Sequence, residues 1–152
     1  MHIVLVEPQI PPNTGNVARL CAATGCVLHL VEPLGFSLSD RDLKRAGLDY
    51  WNELGVVIHA SYDAFAKHTS GSNRWYFSTR AENRHDSVRF LHGDMLIFGK
   101  ETAGLPEATI RANFGRTLRI PMRAGMRSLN LSTAVGIAAY TALAALQYPD
   151  LA

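Results

Sequence analysis

The chain has 152 residues, of which 47% are hydrophobic and 18% are charged. This length predicts one globular domain over residues 1–152, with enough apolar residues for a sizeable core. The sequence contains no low-complexity run and no block of like charges, which excludes a disordered or fibrous protein. No basic region precedes the short apolar run at the amino terminus, so a signal peptide is not predicted.

The net charge of +2 is unevenly distributed along the chain. Residues 1–79 carry six Lys/Arg against seven Asp/Glu, residues 80–127 carry nine against five, and residues 128–152 carry only one Asp. The middle segment therefore has a net charge of +4. Such an excess suits a phosphate-rich partner, and it suits an ordinary solvated surface equally well.

Apolar runs alternate with helix-like segments from the amino terminus onward. Short continuous apolar runs predict strands that are covered on both faces, and they lie at 2–6, 27–31, 56–60, 74–78, 95–98 and 117–121. Helices are predicted over 16–24, 38–47, 61–68, 106–115 and 128–148. This alternation predicts an α/β fold, with a mostly parallel sheet and helices on both faces.

The first predicted helix has Asn16 as its N-cap and Gly25 as its stop signal. Arg19 then falls in the first helical turn. The partial positive charge of a helix N-terminus disfavours a cation there by about 0.3 kcal/mol or more. An arginine at such a position indicates a role other than stabilising the helix.

The last predicted helix, over 128–148, is long and rich in alanine. Its apolar run is shorter than the roughly 20 residues that cross a bilayer, and no basic flank follows it. We therefore expect a buried helix. Small residues such as Gly136 and Ala139 would let a second helix approach, so we also expect self-association.

Polar and glycine-rich loops follow the strands at 2–6, 95–98 and 117–121. Ligands bind α/β sheets at this carboxyl edge, so we expect the three loops to form one cleft. The loop after Phe98 is not a P-loop, because five residues separate Gly93 from Gly99 and Glu101 follows the lysine. We expect Glu101 to accept backbone amides and brace its loop rather than to act as an acid or base. The third loop leads into more polar residues than one helix cap needs, namely Ser128, Asn130, Ser132 and Thr133.

Several kinds of chemistry lack their usual residues. The six histidines show no HxxxH or HxH spacing, so we predict no metal site. The sequence also has no Gly-x-Ser-x-Gly elbow and no GxGxxG after a strand. Cys21 and Cys26 are too few for a disulfide framework, and we expect them to be buried thiols of a cytoplasmic protein.

Three ordered stretches resemble the motifs of the SpoU-type branch of the SPOUT superfamily of RNA methyltransferases: NTGNVAR (13–19), FGKETAGLP (98–106) and IPM followed by SLNLS (120–132). EPLGF (32–36) and RAGLDYW (45–51) are similar to the minimal members, which methylate the ribose 2′-oxygen of the wobble nucleotide, cytidine or uridine, in the tRNA anticodon loop. Lys100 and Ala103 depart from the second motif. Thr133 stands where relatives often have asparagine.

This resemblance implies a fold and a cofactor. The expected fold has a trefoil knot in its carboxyl-terminal part, and the expected assembly is a homodimer with the cofactor cleft near its interface. The expected cofactor is S-adenosylmethionine, with no metal. Residues matching the family's cofactor positions are Phe77, Gly99, Glu101, Gly104, Ile120, Met122, Ser128 and Leu129.

The resemblance also implies roles in catalysis and RNA binding. Arg19 would bind the target nucleotide and stabilise negative charge on its 2′-oxygen, while Asn13, Ser128 and Asn130 position the nucleotide or Arg19. The residues expected to contact the anticodon stem are Arg41, Lys44, Arg45, Arg123 and Arg127. Two alternatives stay open: a SPOUT methyltransferase acting on rRNA or another tRNA position, and a non-catalytic RNA-binding module of the same fold.

Overall fold

The computed structural model describes residues 1–37, 54–149 and 151–152. The predicted helix at 38–47 and the segment 45–51 lie outside these residues. In chain order the described elements are strand β1 (His2–Val6), helix α1 (Pro11–Thr24), strands β2 (Val27–Val31) and β3 (Val57–His59), helix α2 (Tyr62–His68), strands β4 (Arg74–Phe77), β5 (Asn83–Arg84) and β6 (Met95–Phe98), helix α3 (Glu107–Ala112), a 3₁₀ turn (Phe114–Arg116), strand β7 (Thr117–Arg119) and helix α4 (Leu131–Ala145).

The strands form one sheet in the order β3-β2-β1-β6-β4-β7-β5. All six pairings between these strands are parallel, which confirms the predicted α/β class. Within the described residues the sheet has seven strands, whereas the sequence predicted six. The prediction missed β5 because its two residues, Asn83 and Arg84, are polar and exposed and give no apolar signal.

Helices cover both faces of the sheet, as predicted. Alternate residues of a strand point to opposite faces, and β1 shows this plainly. Leu5 belongs to the core cluster that α1 and α4 complete. Val4 belongs to the cluster on the opposite face, which includes Phe65 of α2, with Ile110 of α3 packed against it. The trefoil knot implied by the resemblance stays a prediction.

Helix α1 begins at Pro11, so the predicted start at residue 16 is wrong. Proline is well suited to the first helical positions, where the amide it lacks would have no partner within the helix. The two prolines therefore start the helix instead of separating it from β1. Asn16 is not the cap, and Arg19 lies in the third turn, away from the positive end of the helix. Gly25 ends the helix in the left-handed conformation, with φ of 67°, as predicted.

The other helices are mostly shorter than predicted. Ser61 caps α2 by accepting a hydrogen bond from the Ala64 amide at 3.1 Å. The predicted helix at 106–115 divides into α3 and the 3₁₀ turn. Asn130 is the residue that caps α4. Among the described residues, no helix is long and apolar enough to cross a membrane.

The two cysteines are buried free thiols, as expected. Burial, followed by the neighbouring Cys26, raises the pKa of the Cys21 thiol well above its usual value. A thiol in this state is a poor nucleophile, because the reactive species is the thiolate. Cys21 contributes instead to the apolar contacts between α1 and the sheet.

Three histidines form a hydrogen-bonded row across the first three strands of the sheet. His2 Nδ1 lies 2.9 Å from His29 Nε2, and His29 Nδ1 lies 3.0 Å from His59 Nε2. The pKa of His29 is lowered to about 4, mainly because the ring is buried. The neighbouring histidines lower it further. The unfolded chain therefore binds a proton at His29 at higher pH than the folded chain does.

This row predicts a loss of stability in acid. The free energy of unfolding should fall as the pH drops from about 6.5 to about 4, by an amount on the order of 1 to 3 kcal/mol. Replacing His29 by glutamine, which can donate and accept but does not titrate, should flatten this dependence. Urea denaturation at a series of pH values measures it, with exposed His92→Gln as the matched control. Identical pH dependence in both variants would contradict the prediction.

Candidate functional site

A cavity of about 630 Å³ opens at the carboxyl ends of β4, β6 and β7. Its apolar wall includes Phe77 and Phe98, the last residues of β4 and β6, whose rings are stacked with centroids 4.6 Å apart. Leu118 and Ile120 from β7 and the residue after it extend this wall. Cavities of this size, with apolar walls and a few polar groups, are typical of sites for small molecules and cofactors.

The loop after β6 forms one side of the cavity and folds back tightly on itself. The Gly104 amide donates to the Lys100 carbonyl at 2.8 Å. A Cβ atom on Gly99 would lie 2.1 Å from the Gly104 carbonyl carbon and 2.2 Å from the Leu105 nitrogen. Gly104 itself has φ of 69°, which glycine adopts without strain. Both glycines are therefore needed for the shape of this loop.

The Glu101 carboxylate joins this loop to the segment after β1. Its Oε2 accepts from the Gln9 amide at 2.8 Å. Its Oε1 accepts from the Ile10 amide at 3.1 Å and from Asn13 Nδ2 at 3.0 Å. Glu101 thus accepts backbone amides, as predicted, and two of them belong to the loop after β1.

The same network continues to the third loop. Asn13 Oδ1 accepts from Asn130 Nδ2 at 2.9 Å. Asn130 Oδ1 in turn accepts from the Ser132 amide at 2.9 Å and from the Thr133 amide at 3.3 Å, which caps α4. One continuous chain of hydrogen bonds therefore connects the three loops that the sequence predicted to meet.

These contacts fix the charge state of Glu101. Burial alone would raise the pKa of its carboxyl, but the hydrogen bonds from Asn13 and from the backbone amides together lower it below the usual value. Hydrogen bonds to the charged form favour that form. At neutral pH Glu101 is an acceptor with no proton to give, so its arrangement supports bracing rather than general-acid work.

All the residues predicted to hold a cofactor line this one cavity. They come from four separate parts of the chain, and they are Phe77, Gly99, Glu101, Gly104, Ile120, Met122, Ser128 and Leu129. Arg127, predicted to contact RNA, also lines it. The cavity wall additionally includes residues that the sequence did not single out, among them Phe98, Arg80 and Phe114.

Arg19 is not part of the cavity wall formed by the described residues. It lies six residues after Asn13, which places it about 9 Å further along α1 and about 240° around the helix. Asn13 is buried in the network, whereas Arg19 is exposed and has no hydrogen bond or ion pair with another described residue. Arg123 is also exposed. Arg41, Lys44 and Arg45 lie outside the described residues.

Two further contacts in this site were not predicted from the sequence. The backbone amides of Gln9 and Ile10 hold Glu101, and an ion pair joins Lys100 to Glu7 at the end of β1. Glu7 has φ of 51°, an uncommon value for a residue other than glycine. The sharp change from an apolar strand to Glu7-Pro8 was the available signal, and it indicated a turn but not its partners.

A parallel α/β sheet whose three loops are hydrogen-bonded together around a cofactor-sized cavity is typical of the α/β proteins that bind a cofactor at the carboxyl edge of the sheet. Comparison with known proteins identifies the family. Residues 1–140 match the family described as "SpoU rRNA Methylase family". The chain belongs to this family, which confirms the resemblance seen in its motifs.

Individual relatives match along nearly their whole length. The chain is 51% identical over 142 residues to a tRNA (cytidine(34)-2′-O)-methyltransferase of Saccharophagus degradans, covering 93% of this chain and 92% of the relative. It is 45% identical to the enzyme of the same name from Escherichia coli (strain K12), covering 98% and 96%. A solved structure described as giving insights into the 2-OH methylation of C/U34 on tRNA is 50% identical, with a TM-score of 0.90 and coverage of 96% and 95%.

Proposed function

We propose that this protein is an S-adenosylmethionine-dependent tRNA methyltransferase that modifies the ribose 2′-hydroxyl of the wobble nucleotide, cytidine or uridine 34, in the anticodon loop. The observation that carries the proposal is the hydrogen-bonded chain from Glu101 through Asn13 to Asn130, which joins three motif loops at one cavity. The high identity to enzymes with this name, over nearly the full chain, supports it.

The cavity fits the proposed cofactor in size and chemistry. S-adenosylmethionine combines a flat base, a ribose and a charged amino-acid end. The apolar wall at Phe77, Leu118 and Ile120 suits the base, and the polar backbone groups of loop 99–104, which line the cavity, suit the ribose and the charged end. We expect the cofactor to be held by the residues that line the cavity at the predicted positions, namely Phe77, Gly99, Glu101, Gly104, Ile120, Met122, Ser128 and Leu129.

The bound cofactor supplies a methyl group on a sulfonium, so the donor is already activated. The protein must therefore orient the ribose hydroxyl and favour the negative charge that develops on its oxygen. Guanidinium groups remain protonated near neutral pH, so Arg19 acts as a donor to phosphate and ribose oxygens rather than as a base. The hydroxyl proton is then released to solvent water as the methyl group is transferred. Ser128, which lines the cavity, is the residue of the predicted positioning set that can meet the nucleotide. Asn13 is buried and bonded to Glu101 and Asn130, so Asn13 and Asn130 act by holding the loops and the start of the helix that carries Arg19.

An exposed apolar surface beside α1, the helix that carries Arg19, favours a homodimer. Helix α4 packs beside α1, and it exposes Ile137 (37%) and Tyr140 (47%), whereas Val135 and Ala138 on the same helix are fully buried. An exposed apolar face next to the helix that carries Arg19 suits contact with a second copy. Size-exclusion chromatography with light scattering tests this, and a stable monomer would oppose it.

Arg123 and Arg127 are proposed to bind anticodon-stem phosphates. Replacing Arg123 by glutamine should weaken tRNA binding and reduce the slope of log K against log salt by about 0.7 to 0.9, the contribution of one phosphate contact. Fluorescence anisotropy over a salt series measures this slope, and the exposed Arg89→Gln removes the same charge elsewhere as a control. Arg127 lines the cavity, so replacing it by glutamine should weaken cofactor binding as well as tRNA binding. Unchanged affinity of Arg123→Gln at low salt would refute the assignment.

Methyl transfer to a synthetic anticodon stem-loop tests the function. Radiolabelled methyl groups should enter an RNA with cytidine or uridine at position 34. They should not enter the matched RNA that has 2′-deoxycytidine there, because the acceptor oxygen is then absent. Equal labelling of both substrates would place the modification on another atom or nucleotide and overturn the proposal.

A second candidate, methylation of rRNA, is favoured by the description of the matched family, which names rRNA. Competition between tRNA and rRNA transcripts in the same reaction separates the two. The non-catalytic alternative predicts no binding of S-adenosylhomocysteine, which calorimetry measures directly.

We further propose that residues 1–152 act as a single SPOUT-like domain and that the protein works on tRNA in the cytoplasm.

A further inference from the structure

We propose that the segment Glu32–Phe36 positions the methyl-transfer site, by holding the Gln9 backbone against the Glu101 carboxylate. This inference rests on the proposed function for its catalytic consequence. The segment follows β2, and the residues of the site come from other loops. The side chains of this segment, EPLGF, therefore take no direct part in the proposed methyl transfer.

The contact between Gly35 and the loop after β1 is unusually close. A Cβ atom on Gly35 would lie 2.7 Å from the Gln9 Cα and 2.8 Å from the Gln9 carbonyl oxygen. The Gly35 amide also donates to the Pro8 carbonyl at 2.9 Å. These neighbours are backbone atoms, which cannot move aside as the end of a flexible side chain can.

The segment is itself attached to the body of the protein at two points. The Glu32 amide donates to the His59 carbonyl at 2.9 Å, which joins it to the end of β3. Leu34 packs against the core cluster on the face of α1 and α4. The segment is therefore a fixed surface against which the Gln9 backbone rests.

Gln9 passes this constraint directly to the site. Its amide donates to Glu101 Oε2 at 2.8 Å, and Glu101 Oε1 binds Asn13 Nδ2 at 3.0 Å. Asn13 then binds Asn130. A shift of the Gln9 backbone would remove one donor from Glu101 and loosen the link between the three loops, although Gly35 touches none of the reacting groups.

Gly35→Ala tests the proposal, with Gly55→Ala as the matched control. Gly55 has no atom within 4 Å of the position where a Cβ would be added, and its backbone is not in the left-handed region. We expect kcat to fall at least about tenfold in Gly35→Ala, because misplacement of a catalytic group by a fraction of an ångström is costly. Gly55→Ala should keep the activity of the original chain.

A titration separates positioning from a general loss of stability. In the original chain, the NMR shift of the Gln9 amide should follow the ionisation of Glu101, because the two groups are hydrogen-bonded. In Gly35→Ala this response should be lost, and the acid limb of the rate profile should move to higher pH, because loss of a donor raises the pKa of Glu101. A merely structural role would lower the melting temperature without moving either property.

Leu34→Ala provides a milder variant if Gly35→Ala does not fold. It releases the segment from the core without a clash, so the same changes are expected in the same direction and with smaller size. A folded variant at either position with the original Gln9 response and the original kcat would overturn the proposal. If the original chain itself methylates no tRNA, the proposed function fails, while the amide titration still decides whether the segment holds Gln9 on Glu101.

Discussion

Replacing Arg19 by alanine should lower kcat for tRNA methylation at least about 100-fold, the usual effect of removing a donor that stabilises developing negative charge. Calorimetry should show unchanged affinity for S-adenosylhomocysteine, because Arg19 is not part of the described cavity wall. The side chain is exposed and forms no hydrogen bond or ion pair with another described residue. Loss of activity would therefore reflect its chemistry and not its packing.

Two matched variants refine the test of Arg19. Arg19→Lys keeps the positive charge but loses the planar, two-pronged donor arrangement, so we expect intermediate activity. Arg89→Ala removes an exposed arginine elsewhere and should retain full activity. If Arg19→Ala turns over as fast as the original chain, Arg19 has no part in the reaction.

Replacing Gly99 by alanine should weaken cofactor binding and destabilise the protein. The added Cβ would lie 2.1 to 2.3 Å from backbone atoms of Gly104 and Leu105, so the loop must move. Overpacking of this kind costs about 3 kcal/mol. We expect the affinity for S-adenosylhomocysteine to fall at least about tenfold, since the displaced loop lines the cavity.

The control for Gly99 is Gly115→Ala, in the 3₁₀ turn before β7. No atom lies within 4 Å of the position where its Cβ would be added, so both affinity and unfolding free energy should stay close to their original values. Calorimetry and urea denaturation on the two variants provide the comparison. Normal cofactor affinity in Gly99→Ala would show that the loop does not hold the cofactor.

The strands were predictable because burial on both faces requires continuous apolar runs. β1, β2 and β6 begin and end where the sequence predicted. The start of α1 was not predictable, because Pro11 and Pro12 are equally typical of a turn and of the first turn of a helix. β5 has no apolar residues, and its place at the sheet edge depends on pairing with the distant β7.

The loops that surround the cavity were predictable from the sequence, but the hydrogen bonds that connect them were not. Glycines and polar side chains at the ends of strands indicated the three loops, and the structure places them around one cavity. The bond from Glu101 to Asn13 spans 88 residues, and the bond from Asn130 to Asn13 spans 117. Such pairings follow from sheet order, which local sequence patterns do not specify. The close approach of Gly35 to Gln9 is of the same kind.

The central claim is that this chain methylates the ribose of nucleotide 34, and nucleotide-resolution mapping of 2′-O-methylation in cells lacking the protein tests it most directly. We predict that the modification at position 34 disappears from the affected tRNAs. It should return when the original chain is supplied, and it should not return with Arg19→Ala. Intact methylation at position 34, together with a loss at another tRNA position or in rRNA, would contradict the account.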